Sequence, residues 1–415
     1  MRVAIVGAGV LGRICALRLI AEQHQVSLFE RGSLHPLSNA AFMSAGMIAP
    51  LGESLHAPAR VLQLGWQSLA TWPALLAQLQ QQDPLHADVL FQQRGTLVIA
   101  FSADRTSFSQ WQQDLGATIP EDSEQVAWLD RNALLTMEPV LERFDRAAWL
   151  KADAQLCNRE FLQASTRALL AHAQVDCDTA LGTADIAQLA SRFDWLIDCR
   201  GSGAIGQSDS QLPTPSLRGV RGEILRVRCP ALSLTRPIRV IHPRYVFYLV
   251  PKRNHEIVVG ATEIESSSDH PMTLRSALEL MSTLYAVHPA LAEAEILETG
   301  VAVRAAYPDN GPHLARYQNR IVANGLYRHG WLMGPALANA IVKILHGDRS
   351  AEPTAIQDQL NNNYRNSNTP NNSPNPNPNH NPTNNLNNNL NNNLNNNLNN
   401  NDTETPAGDN HVLHY

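Results

Sequence analysis

Three glycines and one acid near the start of the chain have the types and spacing to hold a dinucleotide. Gly7, Gly9 and Gly12 lie in the run Gly7-Ala8-Gly9-Val10-Leu11-Gly12, and Glu30 follows eighteen residues after Gly12. In a strand–turn–helix setting each glycine has its own task. The first allows the tight turn, the second lets backbone approach a pyrophosphate, and the third lets the helix pack close to the strand. The helix N-terminus then offers unpaired N–H groups and partial positive charge to phosphate. An acid at the end of the next strand accepts hydrogen bonds from ribose hydroxyls. The glycine triplet alone is a weak signal, since ordinary strand-to-helix turns also use glycine.

The flanking elements make the signal specific. Arg2–Val6 (RVAIV) is a short β-branched apolar run, as expected of a strand buried in a parallel sheet. A helical pattern follows from Arg13 to about Glu22, with Ile14, Leu17 and Leu19-Ile20 able to share a face. A second strand, Gln25 to Phe29, ends at Glu30. Strand, turn, helix, strand and acid all occur in the required order.

Composition narrows the class. The chain has 415 residues and a formal net charge of −6. No basic stripe is present, which argues against a nucleic-acid partner. No apolar run approaches the ~18 residues of a transmembrane helix, and the N-terminus is a glycine-interrupted strand rather than a signal peptide. Five cysteines (Cys15, Cys157, Cys177, Cys199, Cys229) without a C-x-x-C fit reduced thiols of a cytoplasmic protein, not a disulfide framework or zinc site. From about Thr354 to the end, asparagine dominates, and residues 354–415 are expected to be a disordered low-complexity tail. The repeats at Leu386, Leu390, Leu394 and Leu398 could line a helix, but a slippage repeat without a fold accounts for them more simply. Roughly 350 residues remain, enough for a two-domain enzyme.

Along that body, Ser44-Ala45-Gly46-Met47-Ile48-Ala49-Pro50 is a run of small residues that would let backbone approach something flat. A helix is expected over about 58–81, two strands around a Gly95 turn in 89–101, and helices over 107–115, 130–137 and 158–172. Trp195 to Cys199 is a short buried strand running into a second glycine cluster, Gly201-Ser202-Gly203-Ala204-Ile205-Gly206. A polar, proline-containing stretch follows where a nucleotide fold needs a helix, so this is not read as a second nucleotide fold; the strand could instead return to the first sheet and cover the same cofactor. Residues 222–262 are strand-rich and predict an antiparallel sheet. A helix over 274–287, a strand over 320–323 and a final helix from Pro335 to Leu345 close the body.

Taken in order, GAGVLG with Glu30, SAGMIAP, YLVPKRNHEIVVGAT and NGLYRHGWLMGPA resemble the FAD-dependent amine oxidases of the D-amino-acid oxidase group, and within it the glycine oxidases of thiamine biosynthesis. The resemblance covers everything except the tail. It implies an α/β fold with a discontinuous Rossmann-like FAD domain (residues 1–80, 150–215 and 300–350) and an antiparallel-sheet substrate domain (81–149 and 216–299). It implies noncovalent FAD, with a small amine or amino acid and oxygen as partners, and leaves a homo-oligomer open. The expected reaction is oxidation of glycine or a similar amine to the imine with hydrogen peroxide. Two alternatives stand beside it: an amino-acid dehydrogenase passing electrons to quinone, and a flavoprotein that modifies or escorts a partner protein.

Carried onto this chain, the resemblance makes Arg304 the substrate-carboxylate arginine, Tyr248 a hydrogen-bond partner of the same carboxylate, and Arg328 a further active-site arginine. It assigns FAD to Gly7, Gly9, Val10, Leu11, Gly12, Glu30 and Arg31, to Ala45, Gly46 and Met47, to Gly201, and to Gly330, Trp331, Leu332 and Met333. Met47, Trp331 and Met333 are expected to wall the pocket. The N-terminus of the final helix, placed at Gly334-Pro335 because proline suits a first helical position, is expected to face the flavin edge that becomes anionic. The chain departs from the family after Arg304, where Ala305-Ala306-Tyr307-Pro308-Asp309-Asn310-Gly311 lacks the usual proline and shifts the glycine.

Overall fold

The strand Arg2–Val6 alternates between two cores. Val3 and Ile5 join one large apolar cluster and Ala4 and Val6 a smaller one, so both faces are covered. In the computed structural model, which describes residues 1–35, 39–119, 124–212, 214–242 and 247–348, this strand is central to a six-stranded sheet. The strand order is 313–317, 320–324, 195–198, 2–6, 25–29, 174–176. All pairs are parallel except the first, which is an antiparallel hairpin. Trp195–Asp198 thus pairs beside Arg2–Val6, and its glycine cluster forms a single 3-10 turn, Gly201–Ala204.

Helices Val10–Ala21, Ala59–Gln82, Asn158–His172 and Gly330–Leu345 share the larger core with Val3 and Ile5. The first and last run parallel in close contact. A Cβ on Gly330 would stand 3.0 Å from Val10 Cγ1, and one on Gly334 3.0 Å from Ile14 Cδ1. Two small residues one turn apart therefore let the two helices approach.

The final helix corrects the sequence expectation, because it begins at Gly330 and places Pro335 inside. Proline lacks the N–H that would serve the carbonyl four residues back. The Trp72 indole N–H fills that vacancy, donating to the Trp331 carbonyl at 3.1 Å. One residue on, the Ala336 N–H donates to Ser68 Oγ at 3.0 Å. Two side chains of helix Ala59–Gln82 thus make an interior proline tolerable, a compensation that local sequence does not announce.

The second sheet has nine strands. Eight follow the order 264–265, 218–228, 256–260, 247–251, 238–241, 96–100, 146–150, 126–130, and the long strand Glu295–Ala306 pairs antiparallel with Arg218–Arg228. The expected antiparallel pattern has one exception, since Ile238–Ile241 runs parallel to Thr96–Ala100. No hairpin joins those two stretches, so nothing local forces them antiparallel. The two strands around Gly95 also part company. Phe91–Gln92 pairs with Ala154–Leu156 in a small third sheet with Met47–Ile48, while Thr96–Ala100 joins the large one. Helix Leu274–Val287 covers one face of the large sheet through Leu280, Leu284 and Val287. The opposite face carries Ile224, Val250 and Val258. The asparagine-rich tail lies outside the described residues.

Trp72→Phe is expected to leave the Trp331 carbonyl buried without a donor, at about 1–3 kcal/mol. In a Pro335→Ala background residue 335 regains an N–H, and the same change should cost less. Denaturant unfolding of the four proteins of this cycle measures the difference, and equal costs in the two backgrounds would contradict the assignment.

Candidate active site

At the C-terminal edge of the six-stranded sheet, the three glycines meet three different constraints. Gly7 has φ +101° and lies so close to the neighbouring strand that a Cβ would stand 2.6 Å from the Cys199 carbonyl oxygen. At Gly12 a Cβ would stand 2.0 Å from the Gly7 oxygen, so the helix can close onto the turn only without one. Gly9 is the opposite case: nothing lies within 4 Å of its missing Cβ. That open cradle is the approach a phosphate needs.

Glu30 is pinned to the loop, accepting from the Ala8 N–H at 2.6 Å and the Gly32 N–H at 3.3 Å. Val10 starts the helix, and Leu11 is buried beneath it. Gly201, at φ +57°, also faces open space. Arg31 is exposed, with Nη2 3.4 Å from Ser202 Oγ in the same turn. Two glycine turns thus close the ends of adjacent parallel strands, where open α/β sheets bind ligands. Because the last helix begins at Gly330 against Val10, two parallel helix N-termini stand side by side there. These residues fit a dinucleotide.

Farther along, Gly46 at φ +66° brings the chain against strand Ala154–Leu156, where a Cβ would stand 2.4 Å from the Leu156 oxygen. Ala45 joins Ile224, Val250 and Val258, with Met47, Tyr248 and Ala261 packed against them. The fold therefore brings Ala45, Met47 and Tyr248 together. The side chains of Trp331 and Met333 pack into the main core. Trp331 packs on Trp72 and Phe161, with ring centroids 6.0 and 5.3 Å away, and its indole N–H donates to Ser44 Oγ at 2.8 Å. Met333 is fully buried, and Leu332 fits against Gly65. All three lie in the first turn of a helix packed into the main core.

The two expected arginines occupy different electrostatic settings. Arg304 lies on strand Glu295–Ala306, opposite Val220. Its guanidinium lies over Gly222, where a Cβ would stand 2.1 Å from Nη2. Nη1 donates to the Thr262 carbonyl at 3.1 Å, and Arg304 makes no ion pair among the described residues. Tyr248 lies opposite Gly260 on the same sheet, and burial raises its pKa, so the phenol stays protonated. Arg328 is already paired, with Nη2 2.7 Å from Glu53 Oε2 and Nη1 3.2 Å from Glu263 Oε2.

Glu53, absent from the sequence reading, organises this corner. It is 8% exposed and bound on its other oxygen by the Arg239 guanidinium, while His329 Nε2 lies 3.1 Å away. Burial alone would raise its pKa, but Arg328, Arg239 and His329 together hold it well below the ordinary carboxylate range. Asp153, near Arg239, is instead pushed up to about 7 by burial. The signal for Glu53 was a lone acid just after SAGMIAP; its partners lie 186 and 275 residues away and could not be read from spacing.

Glu53→Gln leaves two half-buried guanidinium groups without their shared anion and is expected to cost about 3–5 kcal/mol in denaturant unfolding. Because the folded-state pKa is depressed, the stabilisation is fully present above the unfolded value of about 4.3. It is lost as pH falls below that, so the gap between wild type and variant should narrow in acid.

A family model described as FAD dependent oxidoreductase, DAO, matches residues 2–344. A Rhizobium etli protein named as a thiamine biosynthesis oxidoreductase, ThiO, is 36% identical over 346 residues, covering 83% of this chain and 96% of that one. The glycine oxidase of Geobacillus kaustophilus is 26% identical over 379 residues, covering 84% of this chain and 94% of its own. The crystal structure of glycine oxidase from Geobacillus kaustophilus superposes with a TM-score of 0.70 at 23% identity, covering 85% of this chain and 96% of that one. An iminodiacetate oxidase from Chelativorans sp. BNC1 gives a TM-score of 0.69 at 22% identity, over 85% and 99% of the two chains. With the glycine cradle and paired helix N-termini in place, the match over nearly the whole described body means that this chain belongs to the DAO family of FAD-dependent oxidoreductases.

Proposed function

We propose that the protein oxidises glycine, or an amino acid or amine of similar size, to its imine. The imine hydrolyses to glyoxylate and ammonia or supplies thiazole formation in thiamine biosynthesis, and oxygen is the electron acceptor, giving hydrogen peroxide. The observation that carries the substrate class is the contrast between the two arginines. Arg304 lacks a carboxylate partner among the described residues, whereas Arg328 is held by Glu53 and Glu263. The names of the relatives, glycine oxidase and thiamine biosynthesis oxidoreductase, support the reaction and its place. No helix among the described residues is long and apolar enough to cross a membrane.

Bound noncovalently in the cradle, FAD supplies the acceptor for the hydride leaving the substrate α-carbon. The protein's part is to bind and orient. The Arg304 guanidinium receives the carboxylate, a pairing whose fork geometry also fixes the angle of approach. Tyr248, kept protonated by burial, donates its O–H to the same group. Ala45 and Met47 pack in the same cluster as Tyr248 and would limit the length of the substrate side chain. Arg328, locked to Glu53 and Glu263, serves as scaffold rather than a free clamp. Residues 1–80, 150–215 and 300–350 make up the flavin domain in this reading, with 81–149 and 216–299 over the substrate.

Anaerobic addition of glycine to the purified protein should bleach the flavin absorbance, and admitting air should restore it with peroxide formed. A flavin that small amines leave oxidised would overturn the reading. A substrate carboxylate left without its partner costs about 2–5 kcal/mol, so Arg304→Ala should weaken amino-acid use by roughly thirty-fold to a few thousand-fold at 1.4 kcal/mol per decade. Arg304→Lys keeps the charge without the fork and should recover only part of that. Gly9→Val fills the open cradle and should give folded protein without colour; a yellow variant at full occupancy would contradict the cradle.

A further inference from the structure

The first and last helices run parallel, and their C-terminal ends meet at a polar cluster that the flavin chemistry does not use. Glu22 caps the C-terminus of Val10–Ala21, and His346 caps that of Gly330–Leu345. His24 stands in the turn before strand Gln25–Phe29. Glu22 Oε2 lies 2.8 Å from His346 Nε2 and 3.6 Å from His24 Nε2. One ligand atom from each of the three lies within 4.8 Å of the others. Nδ1 of His24 faces the Met1 nitrogen at 3.3 Å, which leaves Nε2 turned to the cluster. That Nε2 is buried and has no hydrogen-bond partner.

We propose that Glu22, His24 and His346 form a binding site for a divalent transition ion of the zinc class. Two imidazole nitrogens and one carboxylate oxygen are a donor set such ions take at about 2.0–2.2 Å, whereas magnesium and calcium prefer oxygen alone. Donors at those lengths in a tetrahedron stand roughly 3.3 Å apart. The separations from Glu22 of 2.8 and 3.6 Å straddle that value, and the two imidazole nitrogens, within 4.8 Å of each other, would draw together on an ion. Charge favours a cation as well. The carboxylate sits where two helices present their negative ends. His346 is half-exposed and Glu22 one-third exposed, so an ion has an entry path and water a fourth position.

A bound ion staples the far ends of the two helices whose near ends form the dinucleotide cradle. It acts on stability, at a distance from Arg304 and Tyr248. The test uses the full-length, FAD-loaded protein stripped with a chelator, with zinc chloride as the probe. Thermal unfolding and calorimetric titration are followed for wild type, His24→Gln and His346→Gln. The expected result is one stabilising zinc per chain in wild type, with affinity weakened at least about tenfold in each variant and flavin content unchanged. Binding by His380, His411 or His414 of the tail would be indifferent to these substitutions. Zinc that fails to raise the wild-type melting temperature, or raises that of both variants as much as that of wild type, overturns the proposal. If His24→Gln does not fold, His346→Gln at its half-exposed position decides alone.

Discussion

One buried carboxylate, Glu53, fixes the electrostatics of the corner in which Arg239 and Arg328 meet. Glu53 shares its two oxygens between Arg239 and Arg328, and Arg328 is further paired with Glu263, so its charge is already answered within the protein. Arg304 stands in another position, donating to a backbone carbonyl that offers only a partial charge. An incoming carboxylate would gain the full Coulombic attraction there, in surroundings where water screens it poorly. In the proposed reading the two arginines are thereby divided between scaffold and ligand.

The cofactor side rests on close approach rather than charge pairing. Gly7 and Gly12 remove the side chains that would hold strand, turn and helix apart, and Gly330 and Gly334 do the same between the first and last helices. The result is two parallel helix N-termini at one strand edge, a fixed positive potential for phosphates. The interior Pro335 sits in the same helix, and its missing hydrogen bond is made good by Trp72 and Ser68 from a neighbour. The helix N-termini of the cradle are thus held by packing between helices far apart in sequence.

Much of this was legible locally. The dinucleotide turn followed from glycine spacing, and helices Asn158–His172 and Leu274–Val287 from apolar periodicity and polar ends. The return of Trp195–Asp198 to the first sheet was suggested by the proline-containing stretch beyond its glycines. Other features depended on distant partners. The true start of the last helix needed donors from residues 68 and 72, the parallel pairing of Ile238–Ile241 needed residues 96–100, and the Glu53 cluster needed residues 239 and 328. With Gly330 as its start, the first turn of that helix carries Trp331 and Met333, both packed into the main core.

The division of labour between Arg304 and Arg328 is the centre of this account, and a carboxylate that cannot be oxidised isolates it from catalysis. Acetate titrated into the FAD-loaded protein and followed by the flavin difference spectrum reports binding beside the ring. The account predicts that Arg304→Met abolishes the spectral response in the concentration range where wild type saturates, while Arg328→Met retains it with affinity changed by only a few-fold. Loss of the response in Arg328→Met with retention in Arg304→Met would contradict it.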